Sequence, residues 1–547
     1  MTSNNGSHSF FGTASASGAG RRRAARRVLA SAIGLMAAHS VLAGDRSSDD
    51  WPMFGQNLHN TASAGEHSLH DVGKLKVKWS FTTGGDVSAR AAVVDGRAYF
   101  PDWGGNLWAV DVRNGTKAWG HQLSDYGLPA NTHSRTSPAV ADGVVYVGTQ
   151  EGAWLLAIDA RSGSLIWKTQ LESPAIDPYA MITASPAVAD GLLFTGIASN
   201  EEGLAGLVPG FVCCKGRGSV VAVHVRGAQR GKVAWQTFTV PAGYTGGGVW
   251  SSNFVVDRER GSVFASSGNN YSHPVAPAYL ACIAGGGTAA TCNSPEDHVD
   301  SILALDMRDG HIKWASKFVT WSQPGVTDGS DDWNVACIVP INPANCPSNP
   351  GPDYDFASAP NLITIEDGHG RRHSILGAGQ KSGIYFALDP DTGAQLWHTQ
   401  VGPGSSLGGM EWGSATDGKR IYVSIANLYG IPTANGGAGS WAALDPRTGA
   451  ILWQVGDPNA AISIGPLTVA NDVVFASSMA GAPTAPTMLA LNAENGQTLW
   501  TFAAGSSVNA GAAVADGVVY WGSGYAHLGV PGFTGNNKFF AFSRNGK

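Results

Sequence analysis

The sequence predicts an all-β fold, an eight-bladed β-propeller of four-stranded antiparallel blades. Three observations predict it: a short phrase ending in tryptophan recurs along the chain, a hairpin phrase recurs before it, and Gly is abundant, at 73 of 547 residues. A four-stranded sheet that is apolar on both faces cannot bury them alone. Stacking such sheets around an axis buries every face, which is the propeller solution.

The tryptophan phrase supplies the last two strands of each unit. In "AIDARSGSLIW", an Asp is followed four residues later by Gly and eight later by Trp. We expect the Asp side chain to cap the turn, Gly to adopt a positive φ, and Trp to pack between neighbouring sheets. The phrase recurs at 109–119, 157–167, 304–314, 387–397, 443–453 and 490–500, with Asn492 replacing Asp in the last copy and a degenerate copy ending at Trp235.

The hairpin phrase supplies the first two strands. "SPAVADGVVYVG" at 137–148 has near copies at 185–196 and 512–522, each with Asp-Gly between alternating apolar runs. Asp-Gly in this setting is a hairpin signal. The last unit, 506–543, lacks a tryptophan strand, and the chain opens with the bare strand "LKVKW" ending at Trp79. We therefore expect this N-terminal strand to complete the last blade and close the ring.

The N-terminus predicts export. A basic run at 21–27 precedes a short apolar segment, and small residues at 41–43 suit cleavage before Gly44, the pattern of a secretory signal peptide. We expect residues 1–43 to be the signal, with Sec and Tat export both open, and 44–547 to be one propeller domain in the periplasm or outside the cell. No later run is apolar enough to predict a membrane span.

Charge narrows the classes of possible partner, and cysteine content narrows the kinds of cysteine site. Residues 1–43 hold five Arg and no acidic residue, so 30 basic residues face 41 acidic ones in the remainder, a net charge of −11. This acidic balance disfavours nucleic acid as a partner. Six cysteines can pair in fifteen ways. Proximity and an oxidising compartment favour three local disulfides over a zinc site: Cys213–Cys214, Cys282–Cys292 and Cys337–Cys346.

Function is expected in the insertions, because the blades are stereotyped. Eight Trp-ending strands, most of them closing an Asp-x-x-x-Gly-x-x-x-Trp phrase, resemble the PQQ-dependent alcohol dehydrogenases over most of the mature chain. In that family, pyrroloquinoline quinone (PQQ) lies near the propeller axis beside Ca²⁺ held by Glu and Asn, with an Asp as base. The resemblance implies Glu201 in "GIASNEEG" (runner-up Glu202) and Asn269 in "SSGNNY" as metal ligands, and Asp297 in "SPEDHVD" (runner-up Asp300) as base.

The resemblance also implies cofactor-binding positions. Lys381 in "GQKSGIYFALD" matches the segment whose Lys or Arg bonds the quinone oxygens, and Trp250 in "GGGVWSSNF" matches the stacking aromatic. Arg135 in "SRTSPAV" suits a PQQ carboxylate, and Thr183 in "MITASP" matches a cofactor-contacting Thr. Several family enzymes place an adjacent-cysteine disulfide against PQQ. Cys213–Cys214 comes after the Glu, so contact with PQQ and plain stiffening of its loop both stay open.

These residues imply a dehydrogenase of alcohols. The chain contains no Cys-x-x-Cys-His, so the resemblance implies an external electron acceptor, a soluble cytochrome c. The segments "DWPMFGQNLHNT", "GQKSGIYFALDPDTG", "GPDYDF" and "GFVCCKGRGS" are similar to the polyvinyl alcohol dehydrogenase subgroup, which implies secondary hydroxyls, including polymeric ones, as substrate. The alternative is a non-catalytic propeller with PQQ-like repeats that serves as an envelope scaffold or binding protein.

Overall fold

The described part of the chain comprises residues 50–65, 69, 71–318, 342–345, 351–366, 370–527 and 529–547 of a computed structural model. The expected signal peptide, Cys337 and Cys346 lie outside it. Within these residues no helix combines the length and the apolarity that crossing a membrane requires.

Eight antiparallel sheets form the molecule, which confirms the predicted fold class. Blade 1 contains β2 (Ala92–Val94), β3 (Arg97–Pro101), β4 (Asn106–Asp111) and β5 (Lys117–Gln122), and blade 2 contains β6 (Ala139–Ala141), β7 (Val144–Gly148), β8 (Trp154–Asp159) and β9 (Leu165–Gln170). Blade 3 contains β10 (Ala180–Met181), β11 (Ala187–Ala189), β12 (Leu192–Ser199), β13 (Ser219–His224) and β14 (Val233–Phe238). Blade 4 contains β15 (Val255–Asp257), β16 (Ser262–Ser266), β17 (Ser301–Asp306) and β18 (Ile312–Lys317).

Blades 5 to 8 follow the same order. Blade 5 contains β19 (Asn361–Glu366), β20 (Arg372–Gly379), β21 (Ile384–Leu388) and β22 (Gln395–Gln400), and blade 6 contains β23 (Ala415–Thr416), β24 (Ile421–Ile425), β25 (Ser440–Leu444) and β26 (Ile451–Gly456). Blade 7 contains β27 (Thr468–Ala470), β28 (Val473–Ser477), β29 (Met488–Asn492) and β30 (Thr498–Phe502). Blade 8 contains β31 (Ala513–Ala515), β32 (Val518–Gly522) and β33 (Lys538–Arg544), with β1 (Leu75–Thr82) as its fourth strand.

The ring closes as predicted. The N-terminal strand β1 pairs antiparallel with β33, Trp79 opposite Ala541. The indole of Trp500 in blade 7 donates to the carbonyl of Leu75 in β1 at 3.0 Å. The first strands of neighbouring blades lie side by side from β2 to β27, and β31 lies beside β2. Both chain ends therefore share one blade.

The repeated phrase owes its composition to contact between blades. Asp306 caps its turn by accepting the backbone N–H of Arg308 at 2.9 Å. Gly310, at φ +75°, lies against the indole of Trp235 from the preceding blade, where a Cβ would approach the ring to 2.4 Å. Trp235 also donates across the interface to Met307 O at 3.1 Å. Gly is thus required twice, by its backbone conformation and by the neighbouring Trp.

The segment 51–64 crosses one end of the ring. Its backbone bonds to the first strands of six blades, at Val93, Val140, Val256, Leu362, Thr416 and Val469. Five of the contacts lie on short first strands that lead directly into the turn to the second strand, and Leu362 lies near the start of the longer β19. The buried guanidinium of Arg90 ties this segment to blade 7, because it donates to Phe54 O at 2.6 Å and to Leu467 O at 2.8 Å.

Three short helices lie in the insertions of blades 3 and 4. They are α1 (Glu201–Leu207), α2 (Pro277–Ala284) and α3 (Ala289–Cys292). Disulfides link Cys213 to Cys214 and Cys282 to Cys292, as predicted. The second joins α2 to α3, so it stiffens the insertion between β16 and β17.

Candidate functional site

The predicted site residues lie in loops at one end of the ring. Connections between second and third strands, and between one blade and the next, emerge at the same end of antiparallel blades. Asn269 and Lys381 occupy the first kind of loop, and Arg135 and Trp250 the second; Thr183 follows β10. Blade topology therefore collects residues far apart in sequence at the end opposite to segment 51–64.

A cluster of three carboxylates, two buried and one half-buried, lies at this end. Glu202, Asp353 and Asp355 each bring a carboxylate oxygen within 4.8 Å of the others. Asp353 and Asp355 are fully buried. They precede β19, whereas Glu202 is in the first turn of α1. Three negative groups this close, two of them out of water, repel one another, so the cluster needs compensating positive charge.

Lys381 supplies part of that charge. Its Nζ is 3.3 Å from Asp353 Oδ1 and 3.4 Å from Asp355 Oδ2, and its side chain is nearly buried. Burial lowers the pKa of Lys381, but the carboxylates, Asp353 first, outweigh it and hold the pKa well above its usual value. One ammonium against three carboxylates leaves a formal excess of two negative charges.

Asn269 completes the cluster with an uncharged oxygen. Its Nδ2 donates to Asp353 Oδ1 at 3.0 Å, and its backbone N–H donates to Asp355 Oδ1 at 3.1 Å. The remaining Oδ1 atom is buried and has no hydrogen-bond partner. A buried acceptor without a donor is costly unless something binds it. Charge and geometry together indicate a cation site.

Trp250 is fixed beside the carboxylates. Its indole Nε1 donates to Asp355 Oδ2 at 2.9 Å, and Thr183 Oγ1 donates to its carbonyl at 3.1 Å. The ammonium of Lys381 lies 5.1 Å from the ring centroid. Trp412 meets the ring edge-on at 5.5 Å. The indole is therefore held in one orientation by contacts on several sides.

Arg135 lies above the second indole. Its guanidinium carbon is 4.2 Å from the ring centroid of Trp412, and Nη2 donates to the hydroxyl of Tyr525 at 2.9 Å. A cavity of about 30 Å³ beside it is lined in part by Arg135, Thr183, Ser252, Trp412 and Asn509. Ser252 Oγ, Trp412 Nε1 and Asn509 Oδ1 are buried there without partners. The cavity is small, and these atoms offer two donors and one acceptor to a small polar group.

Glu411, next to Trp412, was not singled out in the sequence. It is 3% exposed, and its Oε2 has no hydrogen-bond partner. Burial raises its pKa to about 7, against the opposing effects of Lys381 and Arg135. Nothing in its local sequence marks it, because "GGMEWG" matches no repeat position.

The two candidate glutamates have different roles. Glu201 Oε2 accepts the backbone N–H groups of Lys215 and Gly216, each at 2.6 Å. Burial raises its pKa in spite of these bonds. Glu201 therefore anchors the loop that carries Cys213–Cys214, whose Cys213 Sγ lies 3.1 Å from Tyr271 O. Glu202, the runner-up, joins the carboxylate cluster.

The predicted base has other neighbours. Asp297 Oδ2 pairs with Lys317 Nζ at 3.3 Å, and its backbone N–H bonds Ser294 O. Asp300 is fully buried at the start of β17, at φ +47°. The carboxylate that contacts the side chains of both Asn269 and Lys381 belongs to Asp353, whereas Asp355 contacts Lys381 and the backbone N–H of Asn269. Asp353 lies in the segment "GPDYDF". The signal available in the sequence was a pair of Asp residues, separated by one residue, ahead of a strand.

Comparison with known proteins supports the predicted resemblance. The family model PQQ_2, described as outer membrane protein assembly factor BamB, matches residues 71–316 and 380–528. A polyvinylalcohol dehydrogenase of Pseudomonas sp is 29% identical over 91% of this chain and 78% of its own length. A polyvinylalcohol dehydrogenase of Sphingopyxis sp. (strain 113P3) is 28% identical over 87% and 73%.

Among solved structures, quinohemoprotein alcohol dehydrogenase ADHIIG from Pseudomonas putida HK5 has a TM-score of 0.67 at 18% identity, covering 91% of this chain and 81% of that one. At this identity the likeness speaks for the fold.

Proposed function

The chain belongs to the PQQ_2 repeat family, and from this premise we propose that it is a PQQ- and calcium-dependent dehydrogenase of alcohols. Its substrates are secondary alcohols such as polyvinyl alcohol, which it converts to ketones. The named relatives support the reaction class. The family description alone would equally suit a non-catalytic scaffold. The choice between scaffold and dehydrogenase therefore depends on the residues of the site.

The carboxylate cluster carries the proposal. A propeller that only organises other proteins gains nothing from three carboxylates and a lysine at its axis, because burying charge costs several kcal/mol per ion. The buried, unbonded Oδ1 of Asn269 adds a further cost. Sites that hold a metal or cofactor accept such costs, since the ligand recovers them on binding.

The donor set fits calcium. Ca²⁺ takes hard oxygen ligands from carboxylates and amide carbonyls. Glu202, Asp355 and the Oδ1 of Asn269 offer them, with Asp353 left beside Lys381, and the formal excess of two negative charges in the cluster after Lys381 matches a divalent cation. Glu201 is the alternative ligand if its loop rearranges.

The surrounding groups fit PQQ, a planar molecule with carboxylates and quinone oxygens. Trp250 offers a flat face, Arg135 and Lys381 offer cationic donors, and Thr183 lines the same cavity as the unpartnered Ser252, Trp412 and Asn509 atoms. When bound, PQQ with its cation supplies an electrophilic two-electron acceptor for the hydride.

Asp353 is the proposed base. Its carboxylate, 3.3 Å from the Lys381 ammonium, can accept the hydroxyl proton of the alcohol. Asp355 acts as a positioning residue, because it holds the indole N–H of Trp250 and the backbone N–H of Asn269. Asp297, the base expected from the sequence, remains the alternative.

The electrons leave to an external acceptor in this proposal, a soluble cytochrome c, and the enzyme works in the periplasm or outside the cell. The predicted signal peptide supports the compartment. The acidic balance of the mature chain suits a basic partner.

The test is reconstitution with a matched pair of variants. Purified protein is titrated with PQQ and Ca²⁺, followed by the cofactor absorbance, and dye reduction is measured with 2-butanol. We expect Asp353→Asn to lower kcat by about 10²–10⁴-fold while the cofactor still binds, and Asp297→Asn to retain turnover. The reverse ranking would return the base to Asp297. Absence of cofactor binding in the wild-type protein would leave the scaffold as the function.

A further inference from the structure

A second cavity opens beside the site and plays no part in the chemistry above. It measures about 400 Å³, within the range of about 300–1,000 Å³ usual for small-molecule pockets. Its lining includes Trp103, His133, Arg135, Glu151, Tyr179 and His527.

One wall consists of stacked rings. His527 stacks on Trp103 with centroids 4.5 Å apart and planes 4° apart, and His133 lies 4.7 Å from Trp103. Trp103 is fixed by its indole N–H, which donates to Ser88 Oγ at 2.8 Å. Glu151 holds His133, with Oε1 2.7 Å from Nδ1 and Oε2 accepting the backbone N–H at 2.8 Å. These contacts form the wall without any ligand.

The cavity adjoins the site at two points. Arg135 lines both cavities, and its guanidinium lies between the indoles of Trp412, at 4.2 Å, and Trp103, at 5.9 Å. Asn200, also in the lining, directly precedes the glutamates of α1. A molecule whose one end reaches the carboxylate cluster can therefore extend into this cavity.

The lining alternates apolar and polar groups. Trp103, Tyr179 and Met181 offer carbon surface, and Gln150 and Asn200 offer amides. The carboxylates near the ring wall already face imidazoles, Glu151 with His133 and Asp86 with His527 at 3.6 Å. Such a surface suits an uncharged chain that alternates methylene and hydroxyl-bearing carbons. Tyr179 and Ile176, 40% and 59% exposed, extend the apolar surface outward.

We propose that this cleft binds the units of a polymeric secondary alcohol that flank the reacting hydroxyl. The proposal rests on the proposed function, and it names the feature that separates polymer from small-alcohol substrates. A small alcohol reaches the carboxylate cluster without touching the ring wall. A polymer gains contact area on Trp103 and hydrogen bonds to the amides.

The experiment compares two substrates in the reconstituted holoenzyme. For Trp103→Ala and His527→Ala we expect KM for polyvinyl alcohol to rise about tenfold, the equivalent of about 1.4 kcal/mol, with kinetics on 2-butanol within about twofold of wild type. Tyr429→Ala, an exposed aromatic on the blade 6 loop, is the control and should leave both substrates unaffected.

Equal losses on both substrates, or no loss on either, would overturn the proposal. Because His527 is half exposed, its variant remains informative if Trp103→Ala does not fold. Calorimetric binding of a polyvinyl alcohol oligomer to cofactor-free protein separates the two hypotheses. If the oligomer binds, His527→Ala weakens that binding and no turnover is seen, the cleft binds polymer but the proposed dehydrogenase function is wrong. If 2-butanol is turned over but the oligomer does not bind, the dehydrogenase function stands and the proposed polymer-binding cleft is wrong.

Discussion

Glu411→Gln tests the electrostatics of the site without any cofactor. Glu411 is 3% exposed and lies within the influence of Lys381, Arg135 and Asp355, the last of which opposes its ionisation. The substitution keeps the shape of the side chain and removes its ability to ionise. Any pH-dependent difference between variant and wild type therefore reports this carboxyl.

The magnitude follows from the pKa. Burial raises the pKa of Glu411 from 4.5 to about 7, so the folded protein holds the proton more tightly than the unfolded chain. The stability that results is complete below pH 4.5 and is lost as the pH rises to about 7. At about 1.4 kcal/mol per pKa unit the whole effect is about 3 kcal/mol, of which about 2.5 kcal/mol falls between pH 5 and pH 8.

The assay is urea unfolding of the chelated, cofactor-free proteins at both pH values. We expect the free energy of unfolding of Glu411→Gln, relative to wild type, to be about 2.5 kcal/mol more favourable at pH 8 than at pH 5. Comparing the two pH values cancels any constant cost of the new amide. Glu494→Gln, at an exposed turn, is the control. A difference that does not change with pH, or that favours the variant more at pH 5, would refute the reasoning.

Three further outcomes can be measured. Glu202→Gln should weaken calcium binding by at least tenfold in a calcium titration and Glu201→Gln much less, since only Glu202 joins the carboxylate cluster; equal effects would contradict that assignment. Lys381→Met should cost the metal-free protein about 3–5 kcal/mol in urea unfolding, because two buried carboxylates lose their partner, and added Ca²⁺ should recover part of it; no recovery would speak against the cation site. Gly393→Ala, whose Cβ would lie 2.5 Å from Trp314 and Ser316, should lower stability more than Gly143→Ala, which has the same φ of +73° but open space around it; equal losses would mean that the turn conformation alone requires Gly.

Local sequence was enough to predict the blades. The Asp, Gly and Trp of each phrase act within one turn or on the adjacent blade, so every copy repeats the same signal, and β1 could be assigned to the last blade because its Trp79 lacked a preceding unit. All three disulfides were predicted from spacing, and the two whose cysteines the structure describes are present, because cysteines close in sequence can pair locally. Lys381, Asn269 and Trp250 were implied by the family resemblance; they lie near the same carboxylates in the structure, and their roles stay predictions.

The carboxylates that meet at the site could not be assigned from the sequence alone. Glu201 and Glu202 are adjacent in sequence, but successive residues of a helix point about 100° apart, so only the orientation of α1 decides which one faces the cluster. Asp353 is 84 residues from Asn269, in a stretch that belongs to no repeat, yet it contacts both Asn269 and Lys381. Sequence alone determined the blades, because their signals are local and repeated. Only closure of the ring, which brings loops of several blades to one axis, decided which acidic groups meet there.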